Sequence, residues 1–577
     1  MKKKLLPALI VTGLIILVVI IMGITALINK YTPTKKTEDL KEYFNISSDD
    51  EVALIVNNEL SDYKAKIIDK KIYVDYKFVH DSLNSRFYWD ANENVLLYTT
   101  ASDIISAAAD SNSYSVTKQT NDFGYPIVKA TSDSALIALD YVKQYSNITF
   151  KSYDDPARIV ITSKWDEIDS ATVSKSTQVR VKGGIKSPIL KEVKKDDKIT
   201  ILDSGDKWDK VATEDGVIGY IKRKALSESK KTKLTNPDYE EETFTHIKKD
   251  KDICLAWNQV TSQSANSKVP QVISSTKGIN VMSPTWFYLN DNNGNLADIA
   301  SKDYVSYCHS QGIEVWGLFS NLENTNVDAA YVLTHTSTRT TLINQIMSAA
   351  FNYELDGVNI DFENITEAAY GDSYIEFIRE LSIKCHNNGI SLSVDVTVPA
   401  SFNKFFNRSD MAKFADYIVI MGYDEHYKGS DAGSVSSIPW VTEGVESTQK
   451  EVPADQIILG MPFYTRIWEL TPKEDDDAVT DTEDQSKYTV ASQVYSMDAA
   501  AAQLATNNAT AALDEESGQN YAEWSASNKL YKVWLEDSTS LEKRLKLVDD
   551  NKLAGAAFWK LGFENSFVWD TVIKYLD

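Results

Sequence analysis

The stretch Asp356-Gly-Val-Asn359-Ile-Asp361-Phe-Glu363 combines residue types and a spacing that suit catalysis. If it forms a β-strand, side chains alternate with period two, so Asn359, Asp361 and Glu363 share one face. Three polar side chains inside a protein are costly unless they bond to one another or to a ligand. A carboxylate beside a second carboxyl also raises the pKa of the latter, which suits a general acid. The spacing therefore predicts a functional site on this strand, and the three polar side chains are its candidate residues.

Such a strand needs a scaffold, and the sequence from residue 250 onward alternates apolar strands with amphipathic helices. The strand candidates are residues 253–258, 279–287, 313–320, 355–363, 390–398, 417–424, 457–464 and 553–562. Eight such units predict a (β/α)₈ TIM barrel over residues 250–577, with an insertion at 465–552. Chemistry in these barrels lies at the C-terminal ends of the strands, where Glu363 falls.

The barrel region resembles glycoside hydrolase family 18. Its fourth strand is similar to the family signature DGxDxDxE at Asp356, Gly357, Asp361 and Glu363, but has Asn359 where the family usually has Asp. Further similar segments are Met421-Gly-Tyr423-Asp424, GMPFYTR at 460–466 and AAFWKLG around Trp559. The combination resembles the bacterial cell-wall and spore-cortex subgroup, which often carries Asn at the position of Asn359.

The resemblance implies retaining hydrolysis in which the substrate's own 2-acetamido carbonyl attacks the anomeric carbon. Glu363 would then protonate the leaving oxygen, and Asp361 would accept the acetamide N–H bond and stabilise the oxazolinium intermediate. Tyr423 would donate its hydroxyl to the acetamide oxygen. Asn359 would hold Asp361 by a hydrogen bond without adding charge, and Trp559 would offer an apolar face to the sugar.

Further substrate-binding candidates come from the motifs and from the strand ends: Asp356, Met421, Asp424, Tyr464, Arg466 and Trp286. His426 follows strand six, but the mechanism needs no additional base, so a loop or subsite role is favoured. The acidic run 475–484 indicates a solvated loop and lacks the spacing of an EF-hand. No nucleotide loop, Ser/His/Asp set or metal-ligand spacing stands out, so we expect neither a metal nor another cofactor.

Composition narrows the list of partners. The formal net charge is −23, and no long basic run follows the N-terminal lysines, so nucleic acid is a poor partner. The three cysteines, Cys254, Cys308 and Cys385, lie in apolar or helical patterns, which favours buried structural roles over a disulfide framework.

The N-terminus indicates a location outside the cytoplasm. Residues 5–28 carry no charge, and a helix of that length spans about 36 Å, enough for a hydrocarbon core of about 30 Å. Three lysines precede the span, and no convincing cleavage site follows it. We expect residues 1–29 to be a retained single-pass anchor, with the N-terminus cytoplasmic and the catalytic domain extracytoplasmic.

Three smaller segments separate the anchor from the barrel. Residues 30–47 are predicted as a polar tether. Residues 48–168 are predicted as an α+β stalk domain with a weak internal repeat between 72–100 and 136–163. This stalk resembles the domain named after the N-terminal domain of copper amine oxidases, without implying copper.

Residues 169–228 show short strands separated by Gly and Asp turns, which predict a small β-barrel. They resemble bacterial SH3 domains through Val179-Arg180, Trp208 and Gly219-Tyr220-Ile221. The resemblance implies cell-wall binding, and a role as a spacer is an equal alternative. Residues 229–249 are predicted as a polar linker.

These features together predict a multidomain, membrane-anchored glycoside hydrolase. It would cleave β-1,4 bonds after N-acetylglucosamine, with peptidoglycan favoured as the substrate. Chitin or chitooligosaccharides are the alternative substrate. A non-catalytic, chitinase-like sugar-binding protein and a structural stalk protein are the alternatives to an enzyme.

Overall fold

Backbone contacts in the computed structural model group the chain into two units. The structure describes residues 2–363, 365, 368–473 and 484–576. The first unit contains residues 1–89, 107–114 and 121–241, and the second contains residues 90–106, 115–120 and 242–577. The predicted barrel therefore falls wholly in the second unit. Most of the acidic run predicted at 475–484 lies outside the described residues.

The N-terminal helix, Lys2–Tyr31, includes most of the apolar segment predicted as an anchor. The part from Leu9 to Tyr31 has a mean hydropathy of 2.9 and is not buried inside the protein. Its length and composition suit a bilayer span, and a signal sequence would have the same properties.

The segment predicted as a stalk forms a complete seven-stranded sheet in the first unit. In spatial order its strands are Thr149–Tyr153, Arg158–Thr162, Glu51–Val56, Glu59–Ile68, Lys71–Asp75, Ala135–Ala138 and Val128–Ala130. The segment predicted as a small β-barrel supplies most of a second, antiparallel sheet. Its order is Ile189–Val193, Thr177–Arg180, Ile218–Lys222, Trp208–Thr213, Lys198–Asp203, Glu167–Thr172 and Lys230–Lys233.

The two copies of the predicted repeat have the same order of elements. Each runs strand, helical turn, then hairpin: Lys71–Asp75, Tyr76–Phe78, Phe87–Asp90 and Val95–Thr99, against Ala135–Ala138, Leu139–Gln144, Thr149–Tyr153 and Arg158–Thr162. The hairpins differ in their partners. The first joins a separate five-stranded sheet with Ile104–Ala108, Ser113–Val116 and Gln119–Asp122, and residues 90–106 of it group with the second unit. The predicted boundary of the stalk at 48–168 is therefore wrong for this hairpin.

The segment predicted as a tether at residues 30–47 is partly ordered in the structure. Glu38 donates its backbone N–H to the carbonyl of Ile189, and Ile189 donates to the carbonyl of Lys36, each at 2.8 Å. A short helix, Leu40–Tyr43, follows, and Phe44 is fully buried in a hydrophobic cluster of the first unit. Leu40, Tyr43 and Ile46 pack against the same cluster, so apolar side chains hold this part of the segment in place.

All eight predicted barrel strands are present. We number them β1 to β8: Ile253–Asn258, Val281–Leu289, Glu314–Ser320, Gly357–Asp361, Ser391–Thr397, Tyr417–Met421, Ile457–Pro462 and Gly555–Trp559. Each pairs in parallel with the next, and β8 pairs with β1, so the sheet is closed. A short antiparallel strand, Leu296–Asp298, lies on the β2 edge.

Helical segments follow every strand, as a (β/α)₈ barrel requires. In chain order they are Gln263–Lys268 with Val269–Ile273, Lys302–Ser310, Ala329–Thr334 with Thr336–Tyr353, Ala368–His386, Ser401–Phe406 with Arg408–Phe414, Ile438–Thr448, Ser538–Asp550 and Val568–Val572. Apolar side chains that point out of the sheet pack under these helices in one large cluster, and those that point inward form a second cluster inside the barrel. The alternation with period two is thus satisfied by two separate cores.

The predicted insertion after β7 forms a five-stranded antiparallel sheet with one helix, Met497–Thr506. In spatial order the strands are Tyr488–Ser496, Tyr464–Pro472, Lys529–Leu535, Gln519–Ala526 and Ala512–Asp514. The first of them in the chain begins two residues after β7, so Tyr464 and Arg466 start at the C-terminal rim of the barrel.

Candidate active site

Strand β4 points its polar residues into the barrel, as predicted. Asn359 is fully buried in the barrel interior, whereas Val358, Ile360 and Phe362 belong to the outer cluster under the helices. Glu363 follows the end of β4 and is exposed to solvent. The polar face therefore extends about 13 Å along the strand, from Asn359 in the barrel interior to Glu363 at the solvent-exposed rim.

Asn359 fixes the floor of the site through four hydrogen bonds. Its Oδ1 accepts from Trp257 Nε1 and Ser283 Oγ, each at 3.0 Å. Its Nδ2 donates to Ser393 Oγ at 3.0 Å and to Asp395 Oδ1 at 2.7 Å. Both lone pairs and both amide protons are then used. The predicted bond from Asn359 to Asp361 is therefore wrong, and the amide holds Asp395 instead.

Asp361 carries a polar atom that no protein group satisfies. Its Oδ1 is buried without a hydrogen-bond partner. Desolvation, followed by the charges of Asp395, Glu363 and Glu323, raises the pKa of Asp361 well above its usual value. A buried oxygen without a partner is unfavourable, so a ligand that donates a hydrogen bond here would gain affinity.

Asp395 on β5 is a site residue that the sequence analysis missed. The register pairs Asn359 with Ser393 and Ile360 with Val394, which puts Asp361 and Asp395 side by side on adjacent strands. Desolvation, and secondarily the Glu363 charge, raises the pKa of Asp395 well above its usual value despite the bond from Asn359. The signal in the sequence was a single Asp at an inward position of an apolar strand.

Glu363 is suited to hold a proton near neutral pH. Although it is exposed, the surrounding protein displaces part of its water, and this desolvation raises its pKa, as do the charges of Asp424 and Glu323. The charge of Asp361, which was predicted to raise the pKa of Glu363, is not among these causes; instead, the charge of Glu363 raises the pKa of Asp361. An exposed carboxyl with a raised pKa can both reach a substrate and donate a proton to it.

Tyr423 lies just after the C-terminal end of β6, two strands from β4. Its ring packs edge-on against Trp257 and Tyr464, at centroid distances of 6.4 and 6.3 Å. Desolvation and the charges of Asp361, Asp395 and Glu363 raise the pKa of Tyr423 well above its usual value. The phenol therefore remains a hydrogen-bond donor throughout the physiological range.

Tyr464, Asp424 and Arg466 form a second polar group at the rim. The Tyr464 hydroxyl donates to Asp424 Oδ1 at 2.6 Å, and an Arg466 guanidinium nitrogen lies 3.5 Å from the same oxygen. Asp424 has a φ of 59°, a left-handed conformation that Asp tolerates better than most residues. These contacts tie the first strand of the insertion to the loop after β6.

Two tryptophans and an apolar cavity complete the mouth of the barrel. Trp559, at the end of β8, is half-buried and packs edge-on against Trp257 at a centroid distance of 5.9 Å. On the β4–β6 side, a cavity of about 220 Å³ opens beside Glu363. It is lined by Glu363, Asp395, Met421 and a group of aromatic residues, Phe362, Phe402, Phe405 and Phe406, with Ile365, Val396, Thr397 and Asn403.

Two predicted substrate-binding residues lie elsewhere. Asp356 precedes β4 at the other end of the barrel, where its Oδ2 accepts from the backbone of Val315 and contacts His309 Nε2, both at 2.8 Å. Gly357 is structural too, because a Cβ there would come within 2.5 Å of the Trp316 ring. The first half of the motif therefore orders the strand rather than binding substrate.

Trp286 is fully buried in the outer core, and its Nε1 donates to Asn266 Oδ1 at 2.8 Å. The prediction that it lines the cleft is wrong, because its position on β2 points away from the barrel interior. His426 contacts the carbonyl of Asp431 within its own loop, which agrees with the favoured loop role. The three cysteines are free and buried, as expected.

Comparison with known proteins agrees with this geometry. Residues 319–564 match the model of glycosyl hydrolases family 18. The uncharacterized glycosylase YvbX of Bacillus subtilis is 24% identical over 301 residues, covering 49% of this chain and 81% of the relative. The cortical fragment-lytic enzyme of Bacillus subtilis is 24% identical over 287 residues, covering 48% of this chain and 63% of the relative.

A crystal structure of a C-terminal domain from Desulfitobacterium hafniense has the same fold. It superposes with a TM-score of 0.50 and 19% identity, covering 57% of this chain and all of that domain. The match to the family model includes β4 to β8 and hence Asn359, Asp361, Glu363, Tyr423 and Trp559. The barrel therefore belongs to glycosyl hydrolase family 18, and the protein is a glycoside hydrolase.

Proposed function

We propose that the barrel hydrolyses β-1,4 bonds after N-acetylglucosamine by substrate-assisted, retaining catalysis. The observation that carries this proposal is the unpartnered, buried Oδ1 of Asp361, about 6.6 Å below Glu363 on the same face of β4. An acetamide N–H is a donor of suitable size for that oxygen. The site therefore offers one exposed acid and one buried acceptor, which this mechanism requires.

Each group has a defined task in the proposed reaction. Glu363 gives its proton to the glycosidic oxygen as the bond to the anomeric carbon breaks. The acetamide carbonyl oxygen forms a new bond to that carbon, while Asp361 accepts the N–H and balances the positive oxazolinium. Tyr423 donates to the acetamide oxygen and holds it in line for attack. Water then attacks the anomeric carbon and opens the oxazolinium ring. The Glu363 carboxylate takes up the proton that this water loses.

The rim groups position the sugar. Trp559 presents a half-exposed ring that suits the apolar face of a pyranose. Met421 and the aromatic cavity beside Glu363 extend this apolar surface toward β5. Asp424, Tyr464 and Arg466 supply donors and acceptors on the other side, where sugar hydroxyls would bind.

Peptidoglycan is the substrate that we favour. One relative is a cortical fragment-lytic enzyme, and the N-terminal helix suits a membrane anchor that would keep the barrel next to a cell wall. The lysines that precede the apolar segment favour an orientation in which the remainder of the chain is outside the cytoplasm. Chitin remains the alternative, because it has the same N-acetylglucosamine unit.

Mass spectrometry of digested peptidoglycan tests the proposal. We expect new N-acetylglucosamine reducing ends with the wild-type chain and a loss of activity on the order of 10²–10⁴-fold with Glu363→Gln, which cannot donate a proton. Glu446→Gln, on the exposed face of the helix Ile438–Thr448, is the matched control and keeps activity. Reducing ends on N-acetylmuramic acid, or equal activity of both variants, would contradict it. Cleavage of chitooligosaccharides but not of peptidoglycan would select chitin.

A further inference from the structure

The carboxyls of Asp361 and Asp395 form a pair that the proposed reaction has not yet used. They occupy neighbouring inward positions of β4 and β5, whose backbones lie about 4.8 Å apart. Two carboxyls this close in a buried interior cannot both be ionised without a large cost. Their position therefore favours the protonated form of at least one of the two carboxyls.

We propose that Asp361 and Asp395 share one proton before substrate binds, and that Asp395 keeps it afterwards, so that Asp361 meets the acetamide as an anion. This inference rests on the proposed function and makes Asp395 a positioning residue. No bond other than the O–H bond changes. The proton leaves the shared position, ends on Asp395, and returns when product leaves.

Hydrogen bonding decides where the proton goes. Asn359 donates to Asp395 Oδ1 at 2.7 Å, so Oδ2 is the oxygen of Asp395 left to carry a proton. Asp361 Oδ1, by contrast, has no partner until a ligand supplies one. An incoming acetamide N–H stabilises the anion on Asp361 alone, and this moves the shared proton to Asp395.

Other ionisable groups face the pair. They are Glu363 on the same strand, Glu323 after β3, Tyr374 of the helix Ala368–His386, and Tyr423 after β6. Their charges, where present, are negative, so each favours retention of one proton. Burial raises the pKa of both Asp361 and Asp395 well above the usual value, and the charge of Asp395 raises that of Asp361 further, which agrees with this assignment.

The arrangement also explains how the strand can have an amide, rather than a carboxylate, at position 359. A carboxylate at position 359, as in the family signature that this strand resembles, would sit directly below Asp361 on the same strand. Here the amide occupies that position, and the second carboxyl comes from the neighbouring strand. Asp395 of β5 therefore supplies the carboxyl that position 359 does not.

Four forms of the full chain, purified in detergent, test the inference: wild type, Asp395→Asn, Asn359→Asp and the double swap of both. Asp395→Asn keeps an acceptor for Asn359 but cannot titrate. We expect its acidic limb of kcat against pH, measured on solubilised peptidoglycan strands, to move down by about one pH unit, a tenfold change in the proton affinity of Asp361. Asn359→Asp should move the acidic limb to higher pH. The double variant should move it back toward the wild-type position.

Two further measurements separate this role from a structural one. Ser393→Ala removes another partner of Asn359 and should leave the pH limbs in place. Thermal melting needs no activity: because the pair binds protons more tightly when folded, its contribution to stability is lost as pH rises. The Tm of Asp395→Asn relative to wild type should therefore increase from pH 4 to pH 8.

The inference fails if the limbs of Asp395→Asn superimpose on those of wild type, or if its Tm differs from wild type by the same amount at every pH. The inference also fails if the acidic limb of Asn359→Asp lies at the same pH as that of wild type. A wild-type chain that releases no reducing ends from any N-acetylglucosamine polymer would instead refute the proposed function. In that case the melting series still decides whether the pair shares a proton.

Discussion

The proton on Glu363 is controlled by its neighbours at the scale of single residues. Desolvation is the largest reason for its raised pKa, and the charge of Asp424 is the next. A general acid works only while it is protonated, so activity falls as pH rises through this pKa. The position of the basic limb therefore reports how strongly Asp424 acts on Glu363.

Asp424→Asn removes that charge while leaving an oxygen to accept from Tyr464. We expect the pKa of Glu363 to fall and the basic limb of kcat/KM to move to lower pH, with a smaller change in the acidic limb. Profiles of kcat/KM against pH for this variant and for Glu446→Gln provide the check. A basic limb that stays in place would show that Asp424 does not tune the acid.

Single residues also show where sequence reasoning succeeded and where it stopped. Alternation along one strand predicted the face shared by Asn359, Asp361 and Glu363, because it depends only on local geometry. The partner of Asn359 depends on the register between β4 and β5, which no single strand contains, so Asp395 was missed. Trp286 was misplaced because β2 has an irregular register between Thr285 and Phe287, and Trp286 and Phe287 both pack in the outer core, which alternation along a single strand does not predict.

At the scale of elements, the helix Thr336–Tyr353 depends on a hairpin from far upstream in the chain. Its N-cap residue makes no side-chain capping bond. Instead, buried Asp90 accepts from the backbone and hydroxyl of Thr336 at 2.7 and 2.6 Å, and Glu93 accepts from the backbone of Ser337 at 3.0 Å. Thr99 also donates to buried Glu376 at 2.8 Å. These residues all belong to the second unit.

Asp90→Ala should therefore destabilise the barrel. The backbone N–H and the hydroxyl of Thr336, and the backbone N–H of Asn92, would lose their acceptor. We expect this to lower the free energy of unfolding by about 1–3 kcal/mol. Melting curves of the full chain should show a lower Tm for Asp90→Ala and no change for Asp206→Ala, an exposed residue of the first unit. Equal Tm values for both variants would mean that the hairpin does not cap the helix.

The same hairpin explains a limit of sequence-based domain boundaries. The barrel strands were predictable because each β-then-α unit repeats a local pattern from residue 250 onward. The hairpin at 90–106 carries no such pattern, and its attachment to the second unit depends on Asp90, Glu93 and Thr99. A barrel cut at residue 250 would lose these contacts, so it is a poorer test of activity than the full chain.

At the scale of the whole molecule, the N-terminal helix is the feature from which we predict the location of the chain. The apolar length from Leu9 to Tyr31 suits either an anchor or a signal sequence. An uncleaved anchor predicts that the chain remains in the membrane pellet after an alkaline wash and is degraded by protease added outside the cell. Release of a shortened, soluble chain would contradict retention of the anchor.

Deletion of the segment predicted as SH3-like, residues 169–228, is a poor test of whether that segment binds the cell wall. Val179 and Val211 of the segment predicted as SH3-like share one hydrophobic cluster with Phe44 and Ile55, so removing residues 169–228 would expose that core. Half-buried Trp208, with Lys222 over its ring, is the side chain whose substitution would separate binding from a spacer role.

The central claim is that the acetamide of the substrate attacks the anomeric carbon while Glu363 protonates the leaving oxygen. Proton NMR of the reducing end, recorded in the first minutes of digestion and before mutarotation, tests it most directly. Two successive displacements predict that the β-anomer forms first, and that Glu363→Gln forms none. Initial release of the α-anomer would mean direct attack by water and would contradict the account.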